Sequence, residues 1–264
     1  GFDVPWALDF LPGGGVLVPL EMNGDTGTFE LEGPRIAGKR ERMTIEVEVR
    51  TNPVLDDADS EVREAASKRM AEGAAPPDGM IVAVQDQEVK LGPRQMSEWV
   101  ELTFSHDGRE IRGIARFMPL QVGEQTRLFV TPMSFHPKDP WAPISYPGEY
   151  AGELADEIGL YKTVGWDHDT SALNAEMIDE EAFLADMDRV EKDRREMLMK
   201  ALERDDWRML AWVSTSTDRV AHMFYRLIDP EHPMYDEELA KRFGNAIERE
   251  YERMDETIGL VLDE

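Results

Sequence analysis

At 264 residues the chain is long enough to bury a sizeable core in one large or two modest domains. Its 29 lysines and arginines against 55 aspartates and glutamates give a net charge of −26, which repels duplex DNA or RNA but leaves small phosphate esters open, because a bound cation inverts the local field. Cysteine is absent, which excludes disulfides, thiolate metal sites and a cysteine nucleophile, and no apolar run approaches the roughly 18 residues of a membrane helix.

Residues 1–26 read as a leading loop segment. Phe2 to Leu11 lacks the basic-then-apolar order of a signal peptide, so a soluble chain is expected, with its compartment undetermined. Pro12-Gly13-Gly14-Gly15 neither follows a strand nor opens a helix, and it reads as a flexible connection, not a phosphate cradle.

From residue 27 to 139 the period is that of strands. Met43, Ile45, Val47 and Val49 alternate with Thr44, Glu46, Glu48 and Arg50, which predicts one buried and one wet face. Met80 to Val84 is a short apolar strand, and Thr126 to Thr131 is another. Val100, Leu102 and Phe104 lead through the turn His106-Asp107-Gly108 into Glu110 to Phe117, a hairpin. Ser60 to Met70 fits a short helix. The sum is an antiparallel β-rich module, a sandwich or small barrel, suited to a cap inserted beside a catalytic core.

Residues 140–264 change architecture. Glu149 to Ile158 reads as a helix ended by Gly159. Asp179 is a natural N-cap for a helix in which Phe183, Met187, Val190, Met197 and Ala201 recur at helical spacing, with Glu180 and Glu181 at its positive end. Trp207 to Val213 has the composition of a buried strand, and one final helix capped by Asp236 carries Leu239, Phe243, Ile247, Tyr251, Met254, Ile258 and Val261 on a stripe.

The strand-like run ends at Ser214-Thr215-Ser216-Thr217-Asp218-Arg219-Val220-Ala221-His222, and open α/β sheets bind ligands at such an edge. Asp218 and His222 stand four residues apart, so a helix there puts both on one face, where they can share a divalent cation or simply bond to each other. Trp166-Asp167-His168-Asp169-Thr170 is a second constellation, open to a site-lining role for His168 and Asp169 or to a turn with Asx capping.

The run continues Asp229-Pro230-Glu231-His232-Pro233-Met234-Tyr235-Asp236 into a helix with Asp255 and Gly259. In this it resembles the alkaline-phosphatase superfamily, in its type I phosphodiesterase/nucleotide pyrophosphatase branch. Ser145-Tyr146-Pro147-Gly148-Glu149-Tyr150 and Gly159 to Trp166 extend the likeness upstream to about residue 140, with a fainter echo at Met22 to Phe29. The resemblance implies an α/β segment of an alkaline-phosphatase-like core carrying the β-rich cap, α+β overall. It implies a phosphohydrolase acting on phosphate esters with two divalent metals, zinc or manganese, and a Ser or Thr nucleophile. Asp218 and His222 would be two ligands of one metal, with Thr217 orienting Asp218 and Arg219 near a phosphate. The family's nucleophile, its upstream metal-binding Asp and its downstream Asp-His pair have no counterpart here, so the expectation is an incomplete portion with at most one partial metal site. A phosphomutase of the same superfamily and a non-catalytic cap or binding fragment stay open. Self-association is expected where an apolar sheet edge is left open.

Overall fold

The computed structural model describes residues 15–35, 42–52, 79–106, 108–122, 126–165 and 167–263. Among the described residues ten strands come first: β1 (Val16–Pro19), β2 (Thr26–Arg35), β3 (Arg42–Asn52), β4 (Gly79–Val84), β5 (Gln87–Leu91), β6 (Val100–His106), β7 (Arg109–Ala115), β8 (Phe117–Gln121), β9 (Arg127–Val130) and β10 (Ser134–Phe135). They form three antiparallel sheets, ordered β2-β3-β4-β5, β10-β7-β6 and β1-β9-β8. In β3 the alternation holds: Met43, Val47 and Val49 are buried while Thr44, Glu46 and Glu48 face water. Val47 stands opposite Phe29 on one side and Val84 on the other. Val47, Val82, Leu102, Phe104, Phe117 and Leu128, drawn from all three sheets, share one core. The close approach of β2 to that core requires a glycine at one point, since a Cβ on Gly33 would lie 2.3 Å from the Phe104 ring.

Two details differ from the sequence reading. Residues 16–19, inside the expected leading loop, form β1 because Val16 to Pro19 find an open edge on β9, in register with Val130 to Arg127. The strand at Met80 is one arm of a hairpin whose other arm, β5, pairs Val89 with Val82. The helix expected at Ser60 to Met70 and the glycines Gly13 and Gly14 lie outside the described residues.

Helices follow: α1 (Tyr150–Ile158), α2 (Thr170–Asn174), α3 (Glu180–Leu202), α4 (Ser216–Phe224) with a 3-10 turn at Tyr225–Leu227, α5 (Glu237–Phe243) and α6 (Ala246–Asp263). Asp179 caps α3 by accepting the Ala182 N–H at 3.0 Å, and Asp236 caps α5 through Leu239 N at 2.8 Å. Gly159, at φ 85°, ends α1 as expected. A second core joins helices to strands: Phe183 and Met187 of α3 and Val220 and Phe224 of α4 pack with Met118 of β8 and Phe129 of β9. The fold is therefore mixed, antiparallel sheets with a helical layer, α+β. Among the described residues no helix is long and apolar enough to cross a membrane.

The final helix expected after Asp236 is two helices. A Cβ at Gly244 would stand 2.6 Å from Ala240 O, and the Asn245 carbonyl then takes the Arg249 N–H at 3.0 Å to start α6. Its apolar stripe is only partly covered: Ala246, Glu250 and Thr257 are buried, Ile247, Met254 and Val261 of the stripe are half-buried, and Tyr251 and Ile258 are exposed. The reason is polar, because α6 meets charged and hydroxyl groups of α3 and α4.

The strand expected at Trp207 to Val213 does not form. Met209 to Val213 keeps the alternation of a strand, with Leu210 and Trp212 half-buried and Met209, Ala211 and Val213 exposed, yet among the described residues no neighbouring strand lies alongside. Sheet formation needs a second row of backbone donors and acceptors, and none of the described residues supplies one.

Candidate functional site

The site is built at the start of α4. Five hydrogen bonds fix the entering loop. Thr215 Oγ1 donates to Asp167 Oδ2 at 2.8 Å, and Arg194 of α3 donates to Asp167 Oδ1 at 3.0 Å and to the Val213 carbonyl at 2.6 Å. Ser214 Oγ donates to Glu191 Oε2 at 3.2 Å and shares a 2.7 Å hydrogen bond with Ser216 Oγ. Beneath them His168 Nε2 lies 3.3 Å from Glu191 Oε1, with both side chains fully enclosed. Glu250 of α6 closes the floor, with Arg253 Nη1 2.9 Å from its carboxylate. Burial raises the Glu250 carboxyl above its usual range, against a Ser216 hydrogen bond and the Arg253 charge.

From this anchored start Asp218 and His222 project outward. His222 Nε2 lies 3.3 Å from Asp218 Oδ1, one helical turn on, with the two side chains 71% and 58% exposed. They line an open cleft of about 740 Å³ with Thr170 and Asn174 of α2, Arg219 and Arg226, and His232 of the Asp229–Tyr235 turn. Arg219 Nε stands 3.7 Å from Asp218 Oδ2, which keeps its guanidinium beside the acid. His232 Nδ1 accepts the Met234 N–H at 3.1 Å, leaving Nε2 for other partners. Arg226 is held by Glu180 of α3.

The expected site residues divide. Asp218, His222 and Arg219 come together on the cleft, and Thr217, half-buried, adjoins them in the first turn of α4. His168 and Asp169 do not reach it. They are buried, His168 against Glu191 and Asp169 as the cap of α2, accepting Ala172 N at 2.9 Å while its other oxygen takes the Gly15 N–H. Burial raises the Asp169 carboxyl, and the two N–H bonds and Lys162 pull the other way. The Asx cap read from the sequence is present, inside and not at the surface; Trp166 lies outside the described residues.

An imidazole nitrogen and a carboxylate oxygen make a chemically suitable pair for a zinc- or manganese-type ion. Among the described residues, no three His, Asp or Glu side chains converge closely enough to hold one. Sequence reasoning missed Glu191, Glu250 and Arg194, the groups that hold the loop. Glu191 does carry a signal, since it stands four residues after Met187 and next to Val190 on the face of α3 that packs inward. His232, read only as part of a turn, shares the cleft. No family model, no curated protein and no solved structure matches the chain.

Proposed function

We propose that the chain is a portion of a metal-dependent phosphohydrolase of the phosphodiesterase/nucleotide pyrophosphatase type, acting on small phosphate esters, with Asp218 and His222 as two ligands of one divalent ion. The observation that carries this reading is the Asp218–His222 pair, exposed on one face of α4 with its partners 3.3 Å apart and an arginine-lined cleft in front of it. A divalent ion bound there would act as a Lewis acid and as a template for a phosphoryl oxygen. The chain's own part is to orient and to neutralise. Thr217 adjoins the acid, Arg219 and Arg226 offer guanidinium groups to a phosphate, and the Ser214–Glu191 and Thr215–Asp167 bonds keep the start of α4 from shifting. The resemblance of the Thr217 to Asp236 run to that branch supports the same reading, and an alkaline-phosphatase-like α/β core is part of the proposal.

A second reading, a cap or binding fragment without chemistry of its own, is favoured by one observation: two ligands converge among the described residues and a third does not. A phosphomutase would use the same two ligands. Hydrolysis of an aryl phosphodiester with Zn²⁺ or Mn²⁺ separates the readings. Turnover lost in His222→Ala supports the hydrolase, and metal binding without turnover supports the fragment.

A further inference from the structure

The segment Met209-Leu210-Ala211-Trp212-Val213 keeps the alternation of a strand, and among the described residues no strand lies beside it. Leu210 and Trp212 turn inward and, with Leu198 of α3 and Val261 of α6, line an apolar groove of about 360 Å³. On the other side Met209 is 82% and Val213 67% exposed. Among the described residues, none of these five makes a backbone–backbone hydrogen bond; the Val213 carbonyl is met only by the Arg194 side chain. An apolar strand with open donors and acceptors is a template for another strand.

Charge identifies the strand that fits. The chain carries −26, yet from Trp207 to Thr217 its one charge is the cationic Arg208. Two acidic copies can therefore approach here without bringing carboxylates together. A two-fold axis normal to a ribbon places each residue opposite one of the same parity. Centred on Ala211, the antiparallel register sets Met209 opposite Val213, Leu210 opposite Trp212 and Arg208 opposite Ser214, with the small Ala211 opposite itself. No like charges meet, both groove-facing residues stay on one face, and the helices of both copies lie behind that face. We propose that this chain forms an isologous dimer by antiparallel pairing of Met209–Val213 with the same segment of a second copy. Because Val213 leads directly into the loop that starts α4, the interface would lie beside the Asp218–His222 cleft, although the dimer does not depend on any function for that cleft.

Sedimentation velocity over a wide concentration range tests it. The unaltered chain should show a reversible monomer–dimer equilibrium. Met209→Glu with Val213→Glu places two pairs of carboxylates in register and should weaken the dimer by about tenfold, the two opposed like-charge pairs together costing on the order of 1.4 kcal/mol. Met209→Glu with Val213→Lys should restore it. Both positions are exposed, so the variants should keep the monomer's fold, which circular dichroism checks. The chain has no cysteine of its own, so Ala211→Cys should oxidise to a covalent dimer, while Met209→Cys, displaced from its mate by four residues of register, should not. A chain that stays monomeric throughout, alone or holding only a foreign extended peptide, overturns the proposal. So does a dimer indifferent to the paired glutamates, or equal cross-linking at positions 209 and 211.

Discussion

Arg116, enclosed between β7 and β8, donates from Nη2 to Asp193 Oδ2 of α3 at 3.3 Å. Nη1 lies 3.7 Å from Asp186, and the guanidinium stacks 4.1 Å from the Trp99 ring centre. One cation thus joins the strand module to α3. Burial lowers the Arg116 pKa and raises that of Asp193, with the mutual attraction opposing both shifts.

Removing one member of this pair leaves the other charged and dry. Arg116→Met is expected to destabilise the fold by about 3–5 kcal/mol, measured by urea unfolding. Arg116→Met combined with Asp193→Leu should recover part of the loss, because the stranded carboxylate is gone. A single-variant loss below about 1 kcal/mol would mean that water reaches the pair.

Asp179 closes the first turn of α3 through the Ala182 N–H. Asp179→Ala is expected to cost about 1 kcal/mol, and Asp179→Ser to cost less, because a hydroxyl can take the same bond. The midpoint of denaturant unfolding, compared at equal slope, reads the difference.

Glu250 gives the stability a pH dependence of defined sign. Its folded pKa stands above the usual 4.5, so the folded state holds that proton more tightly than the unfolded state. The stabilisation is fully present below pH 4.5 and is lost as pH rises through the folded value. Glu250→Gln keeps the shape without the titration. The melting temperature of the unaltered chain, minus that of the variant, should therefore fall as pH is raised from about 4.5 toward neutrality. A flat difference would show that Arg253 fully compensates the buried charge.

Much of the strand module is legible in the sequence, because a half-buried strand writes its two faces into alternate residues, as Met43 to Val49 do. Helix starts are equally plain at Asp179 and Asp236, where a short acid side chain has one local job. What the sequence leaves open is pairing. Trp207 to Val213 has the residues of a strand, but a strand also needs a neighbour, and neighbours come from distant positions that composition does not name. The same limit applies to α6. Its apolar stripe is real, yet the helix turns Glu250 and Thr257 inward because Glu191, Ser214 and Ser216 already line the space it meets. For the site, the four-residue spacing of Asp218 and His222 predicts their meeting on one face. The enclosure of His168 and Asp169 is invisible locally, since it depends on Glu191 and Gly15 arriving from elsewhere in the chain.

Whether Asp218 and His222 hold an ion decides the proposed metal role of the α4 cleft. Calorimetric titration of Zn²⁺ and Mn²⁺ into the chelator-treated chain, beside Asp218→Ala and His222→Ala, asks this without requiring turnover. The expected result is one binding event of modest affinity, weakened at least tenfold in each variant, as loss of one of two ligands demands. Binding that is absent, or unchanged in both variants, would contradict the metal role and leave the pair as a hydrogen-bonded turn of a helix.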